Sequence, residues 1–112
     1  MATLQNPIAV ANLPTSLSAN NVTSGPGSAI NWIISALTVA NTSTTQAINV
    51  SVGITSGGTT YYLARLANLP IGETLTIGGN GAKLILGNGW GISAYSDTAT
   101  SADCTVHYAS VP

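Results

Sequence analysis

Ile48-Asn49-Val50-Ser51-Val52-Gly53-Ile54-Thr55 alternates an apolar with a polar or small residue at every step. Side chains of a strand project to opposite faces in turn, so this stretch reads as a strand with one face in a core. No segment of the chain sustains the 3.6-residue period of an amphipathic helix. Working outward, turn-forming residues recur at near-regular intervals: Asn41-Thr42-Ser43-Thr44, Ser56-Gly57-Gly58, residues 68–72, Gly78-Gly79-Asn80-Gly81, Gly87-Asn88-Gly89 and residues 97–103. Between them lie seven candidate strands, at 30–40, 47–54, 60–66, 74–77, 83–86, 90–96 and 104–110. Leu63-Ala64-Arg65-Leu66-Ala67-Asn68 could pass for a helical turn, but Tyr61-Tyr62 before it and Pro70 after it favour a strand.

Short strands separated by turns predict an all-β, antiparallel immunoglobulin-like sandwich of about seven strands, with a jelly roll as the alternative topology. Residues 29–112 form the expected β-sandwich domain. Residues 1–28 are rich in Asn, Ser, Pro and Gly, and Pro7, Pro14 and Gly25-Pro26-Gly27 interrupt short apolar pieces such as Ile8-Ala9-Val10. They read as an extended N-terminal arm that can supply an edge strand but not a central one.

The chain's surface chemistry is as informative as its periodicity. Of 112 residues only Arg65, Lys83, Glu73, Asp97 and Asp103 carry a formal charge at pH 7, for a net charge of −1. Soluble domains normally hold about a quarter of their residues as charges, which hydrate them and keep copies apart. Uncharged polar groups can be buried in a permanent interface without the desolvation cost of an ion. The composition therefore fits a subunit packed into a larger assembly, a homo-oligomer such as a trimer. Two basic residues cannot neutralise the several phosphates that nucleic-acid binding requires, so no nucleic-acid partner is expected. No long apolar run suggests a membrane partner, and no signal-like segment opens the chain, which predicts synthesis in a cytoplasm. Cys104 stands alone and reads as a buried thiol.

Candidate chemistry is sparse. His107 and Cys104 are three apart on a predicted strand, which puts them on opposite faces and disfavours a dyad. There is no Gly-x-Ser-x-Gly elbow, so no catalytic residue is assigned and no enzyme activity is expected. One His, one Cys and three carboxylates cannot build a zinc cluster, and Asp97 and Asp103 read as turn-solvating residues and not as a calcium site. Gly78-Gly79-Asn80-Gly81-Ala82-Lys83 lacks the Gly-Lys-Ser/Thr ending of a phosphate loop and reads as a hairpin turn; no cofactor or metal is expected. Sequons at Asn21, Asn41 and Asn49 follow from an Asn/Ser/Thr-rich surface. Trp90, between Gly89 and Gly91, could serve as a stacking platform for a sugar ring, which makes a carbohydrate-binding module the rival from another class. Its plainer role is to plug one end of the core. The run Ile30-Asn31-Trp32-Ile33-Ile34 is apolar on both faces, as expected of a strand covered on both sides. Ile8, Val10, Ile30, Trp32, Ile34 and Trp90 are the candidate interface residues.

Residues 36–111, about two thirds of the chain, bear a resemblance. Leu37-Thr38-Val39-Ala40-Asn41-Thr42-Ser43, the alternating 48–54 strand, Gly58-Thr59-Thr60-Tyr61-Tyr62-Leu63, Leu69-Pro70-Ile71-Gly72-Glu73-Thr74-Leu75 and Gly89-Trp90-Gly91-Ile92-Ser93-Ala94-Tyr95-Ser96 resemble the small β-sandwich virion proteins of tailed bacteriophages. The resemblance implies a structural role in a virion: a capsid decoration or cement protein in contact with the major capsid protein, or a neck, tail or fibre accessory protein. It implies localisation to the virion after synthesis in the host bacterial cytoplasm, and carries over no catalytic residue. The arm, residues 1–28, lies outside it, and arms of this kind in virion proteins bridge neighbouring subunits.

Overall fold

The computed structural model describes residues 2–78 and 84–112. Those residues form nine strands and no helix: β1 (Thr3–Leu4), β2 (Ile8–Val10), β3 (Asn31–Asn41), β4 (Ile48–Ser56), β5 (Thr59–Leu69), β6 (Thr74–Gly78), β7 (Leu84–Leu86), β8 (Trp90–Ser96) and β9 (Ala102–Val111). All named pairings are antiparallel, and they make two sheets. In the larger sheet β9 and β3 lie side by side at the centre, β1 and β2 share the free side of β9, and β6 and β7 share the free side of β3. The smaller sheet has the order β5-β4-β8.

The pairing is nested. β4 pairs with β5, β3 with β6 and β7, Thr23 with Ile92 of β8, and β1 and β2 with β9. The chain is thus one long antiparallel hairpin rolled into two layers. That is the jelly-roll alternative, in which the first long strand, β3, lies beside the last, β9. The β-sandwich and its strands stand as read from sequence. Lys83 and the glycine-rich turn 79–83 lie outside the described residues.

The alternating stretch decides the packing as its pattern demands. Ile48, Val50 and Val52 of β4, Ile92 and Ala94 of β8, and Leu69 of β5 face Ile34, Leu37, Val39, Leu86, Ala102, Cys104 and Val106 of the larger sheet, all buried in one core. Each fully buried aliphatic side chain contributes about 1.5–3 kcal/mol.

The N-terminal segment belongs to this core. β1 and β2 are edge strands split around Pro7, as the prolines require. Beyond them, Leu13 is 1% exposed and Val22 7%, and both sit in the core cluster. Main-chain bonds pin these residues: Leu13 N–H donates to the Ala102 carbonyl (2.8 Å), and Val22 N–H to that of Ile92 (3.1 Å). The Asn21 side chain imitates a neighbouring strand, donating to the Ala94 carbonyl (2.8 Å) and accepting from Ala94 N–H (3.0 Å). This close approach explains two glycines. A Cβ on Gly25 (φ +83°) would lie 1.7 Å from the Trp90 carbonyl oxygen, and one on Gly91 2.1 Å from Asn20 Oδ1. Residues 2–28 thus run along the chain's own sandwich, and β1 and β2 supply edge strands of the kind the sequence allowed.

Candidate interaction surfaces

Of the six candidate interface residues, five turn toward the chain's own core. Ile34 is fully buried, and Ile8, Val10, Trp32 and Trp90 are partly buried against the core cluster. Trp32 stacks on Tyr108 with ring centroids 4.3 Å apart, and Trp90 packs beside Tyr61 at 5.8 Å. Only Ile30, just ahead of β3, is exposed. A fully buried side chain has no surface to offer a partner, so Ile34 is withdrawn as a contact residue.

The outward residues come from the register. Directly opposed residues on neighbouring strands share a face. Leu4 is opposite Ala109, Ala109 opposite Ile33, and Ile33 opposite Ile85. Leu4 is 88% and Ile85 68% exposed, which marks this apolar row as lying on the outer face of the larger sheet. Further along the same face His107 is opposite Ala36, Thr105 opposite Thr38 and Thr38 opposite Thr76. The Thr38 and Thr105 hydroxyls are hydrogen-bonded to each other. Among the described residues Asp103 is the one carboxylate on this face, near its far end, where its Oδ1 accepts from Asn12 N–H at 2.9 Å.

The smaller sheet's outer face differs in kind. Tyr62 and Tyr95 approach at 3.5 Å between hydroxyls, and the Arg65 guanidinium lies 4.9 Å from the Tyr62 ring centroid. Their mutual hydrogen bond raises the pKa of Tyr62 and lowers that of Tyr95, where Ser51 adds to the effect. β5, the free edge of this sheet, is kinked by register shifts opposite Val50–Gly53, and Leu66 takes φ +51° with its N–H donated to Ser51 Oγ at 2.9 Å. Such bulges blunt an edge against strand addition.

The small-molecule readings find little support. The shallow pocket lined by Ala19, Asn20, Thr55, Ser56, Gly57, Gly58, Thr60 and Gly89 has a volume of about 50 Å³. Ligand pockets run to about 300 Å³ or more. Trp90 is opposite Ser56 and Ile92 opposite Ile54, on the inner side of the smaller sheet, so the indole closes one end of the core. Cys104 is buried, and its thiol is pushed up to about 12 by that burial, while His107 is exposed on the opposite face. Among the described residues no group of three or more His, Cys, Asp or Glu could hold a metal ion. Asp97 is engaged by Asn49, whose main-chain N–H donates at 3.0 Å and whose side-chain amide donates at 3.1 Å. The sequon residues Asn21, Asn41 and Asn49 all spend their side-chain amides on internal hydrogen bonds.

Two stretches that carry the phage resemblance meet in space. The buried Asn41 amide donates to the carbonyls of Leu69 (3.0 Å) and Pro70 (3.2 Å), and Asn41 N–H donates to the Glu73 carbonyl (3.0 Å). The Asn-Thr-Ser turn and the Leu-Pro-x-Gly-Glu stretch are therefore halves of one joint, which binds the end of β3 to the β5–β6 connection.

No family model matches the chain, and no curated protein matches it. Among solved structures, a pentameric capsid protein isolated from metagenomic phage sequences aligns with 18% identity and a TM-score of 0.40, over 94% of this chain and 59% of its own. The chain thus spans less than two thirds of that protein's length. At that TM-score the alignment adds nothing to the strand pairing described above.

Leu4, Ile33 and Ile85 were not singled out from sequence. The signal for Ile33 was present in the doubly apolar run 30–34; Leu4 and Ile85 are single apolar residues whose neighbours on the face are set only by pairing.

Proposed function

We propose that this chain is a structural component of a bacteriophage virion, a capsid decoration or cement protein that stabilises the head shell and associates with copies of itself. The carrying observation is the surface: a broad, nearly charge-free outer sheet face with a cross-strand apolar row among the described residues. The resemblance to phage virion sandwiches supports it, because the resembling stretches form a scaffold joint and not a reactive site. Attachment in this reading rests on apolar burial and uncharged hydrogen bonds, which salt does not screen. A neck, tail or fibre accessory role uses the same surface and differs in copy number.

The test is quantitative mass spectrometry of purified particles from the source phage, before and after a wash in concentrated sodium chloride. Copies in proportion to the shell subunits, retained after the wash, support decoration. A few copies per particle assign the chain to neck, tail or fibre, and its absence from particles overturns the reading.

A further inference from the structure

We infer that the outer face of the larger sheet is where one copy of this chain packs on a second, sheet against sheet about a two-fold axis that runs parallel to the strands between β3 and β9. The face is about large enough. β3 has 11 residues, and at about 3.3 Å per residue and about 4.8 Å between four strand positions the sheet covers about 700 Å². A standard stable interface takes about 800 Å² from each partner.

Its pattern is self-complementary under that axis. Rotation about an axis parallel to the strands keeps each residue at its height and exchanges β3 with β9. Ile33 then meets Ala109 of the second copy, large against small, and Leu4 meets its Ile85. Thr38 meets Thr105, hydroxyl to hydroxyl, one row group further along. Asp103 faces Ala40 of the second copy and not the other Asp103, so no like charges are opposed. That carboxylate lies six residues along β9 from Ala109, about 20 Å from the apolar row.

Charge selects the occupant. Among the described residues the face offers no cation to an acidic partner and one carboxylate to a basic one, whereas a second copy presents the same nearly uncharged surface. The smaller sheet lacks these properties, since Arg65 lies on its outer face and its free edge is bulged.

The inference rests on strand register and is tested on the isolated 112-residue chain, so its outcome is separate from that of the virion reading. Sedimentation equilibrium should show a dimer. Ile85→Lys and Leu4→Glu should each raise the dissociation constant at least ~100-fold, with circular dichroism unchanged because both side chains are solvent-exposed in the single chain. Leu66→Lys, on the β5 edge, should leave the dimer intact. An equimolar mixture of the Leu4→Glu and Ile85→Lys chains should recover association, because the axis sets position 4 of one copy against position 85 of the other. A monomer at about 100 µM wild-type chain, a trimer (which a two-fold contact cannot close), a dimer unaffected by Ile85→Lys, equal dissociation by Leu66→Lys, or failure of the mixture to associate would each overturn it.

Discussion

Removing residues 1–28 should unfold the sandwich and not merely detach it from a partner. The truncation takes Leu13 and Val22 out of the core, together with the partly buried Ile8 and Val10. Two full burials at about 1.5–3 kcal/mol each, and two partial ones at about half that, come to about 5–9 kcal/mol. Area-based sums of this kind are upper bounds, because the unfolded chain is already partly collapsed. Even so, a domain of this length holds only about 5–15 kcal/mol in total. The edge of β8 would in addition lose the Asn21 amide pair and the Thr23–Ile92 bridge. A milder version is Leu13→Ala, for which about 2–5 kcal/mol is expected. Urea titrations followed by tryptophan fluorescence measure both, since Trp90 lies against the segment at Gly25. An arm that served only neighbouring subunits would leave residues 29–112 with a cooperative transition at the wild-type midpoint. That result, or a Leu13→Ala cost under about 0.5 kcal/mol, would refute the reasoning.

Three further outcomes are expected. Asn41→Asp places a carboxylate against the Leu69 and Pro70 carbonyls and should cost about 3 kcal/mol at pH 7. Protonation returns one donor and so raises the folded-state pKa, which makes the deficit in denaturant melts smallest below about pH 4 and larger as pH rises. Asp97 has its pKa lowered first by the Asn49 main-chain N–H, so its contribution is complete above the ordinary carboxylate range and lost as pH falls through the lowered value. Asp97→Asn should accordingly flatten the acid limb of stability against pH, by less than about 1 kcal/mol because the group is exposed. Cys104, with its thiol pushed up to about 12 by burial, should resist iodoacetamide near pH 8 in the folded chain and react once the chain is unfolded in urea; rapid modification of the native protein would contradict its place in the core.

Strand content was legible because burial on one face leaves a period-two trace, and the trace in 48–54 is unbroken. β5 extends past its expected end at residue 66 to Leu69, because two bulges let it follow β4 without keeping strict alternation. The choice between immunoglobulin and jelly-roll order was not legible. Both need the same short strands and turns, and what separates them here is long-range pairing, such as Thr23 with Ile92 and β3 with β9. Leu13 and Val22 were missed for a related reason: they lie outside regular strands, held by main-chain bonds to β8 and β9, so no periodicity announces their burial.

The candidate surface shows the same division between local pattern and pairing. The run 30–34 was rightly read as apolar on both faces, but its faces had no labels until pairing supplied them. The register shift between Ile34 and Ala36 then lets Ile34 and Leu37, three residues apart, both point inward, which strict alternation forbids. Ile33 is left pointing outward between Ala109 and Ile85. A single exposed Leu or Ile is ordinary on any protein surface. Four strands in register convert Leu4, Ala109, Ile33 and Ile85 into a row, and a row on a nearly uncharged face is the surface on which the proposed self-association rests. The low charge that opened the functional reading thus gains a location, on the outer side of the larger sheet.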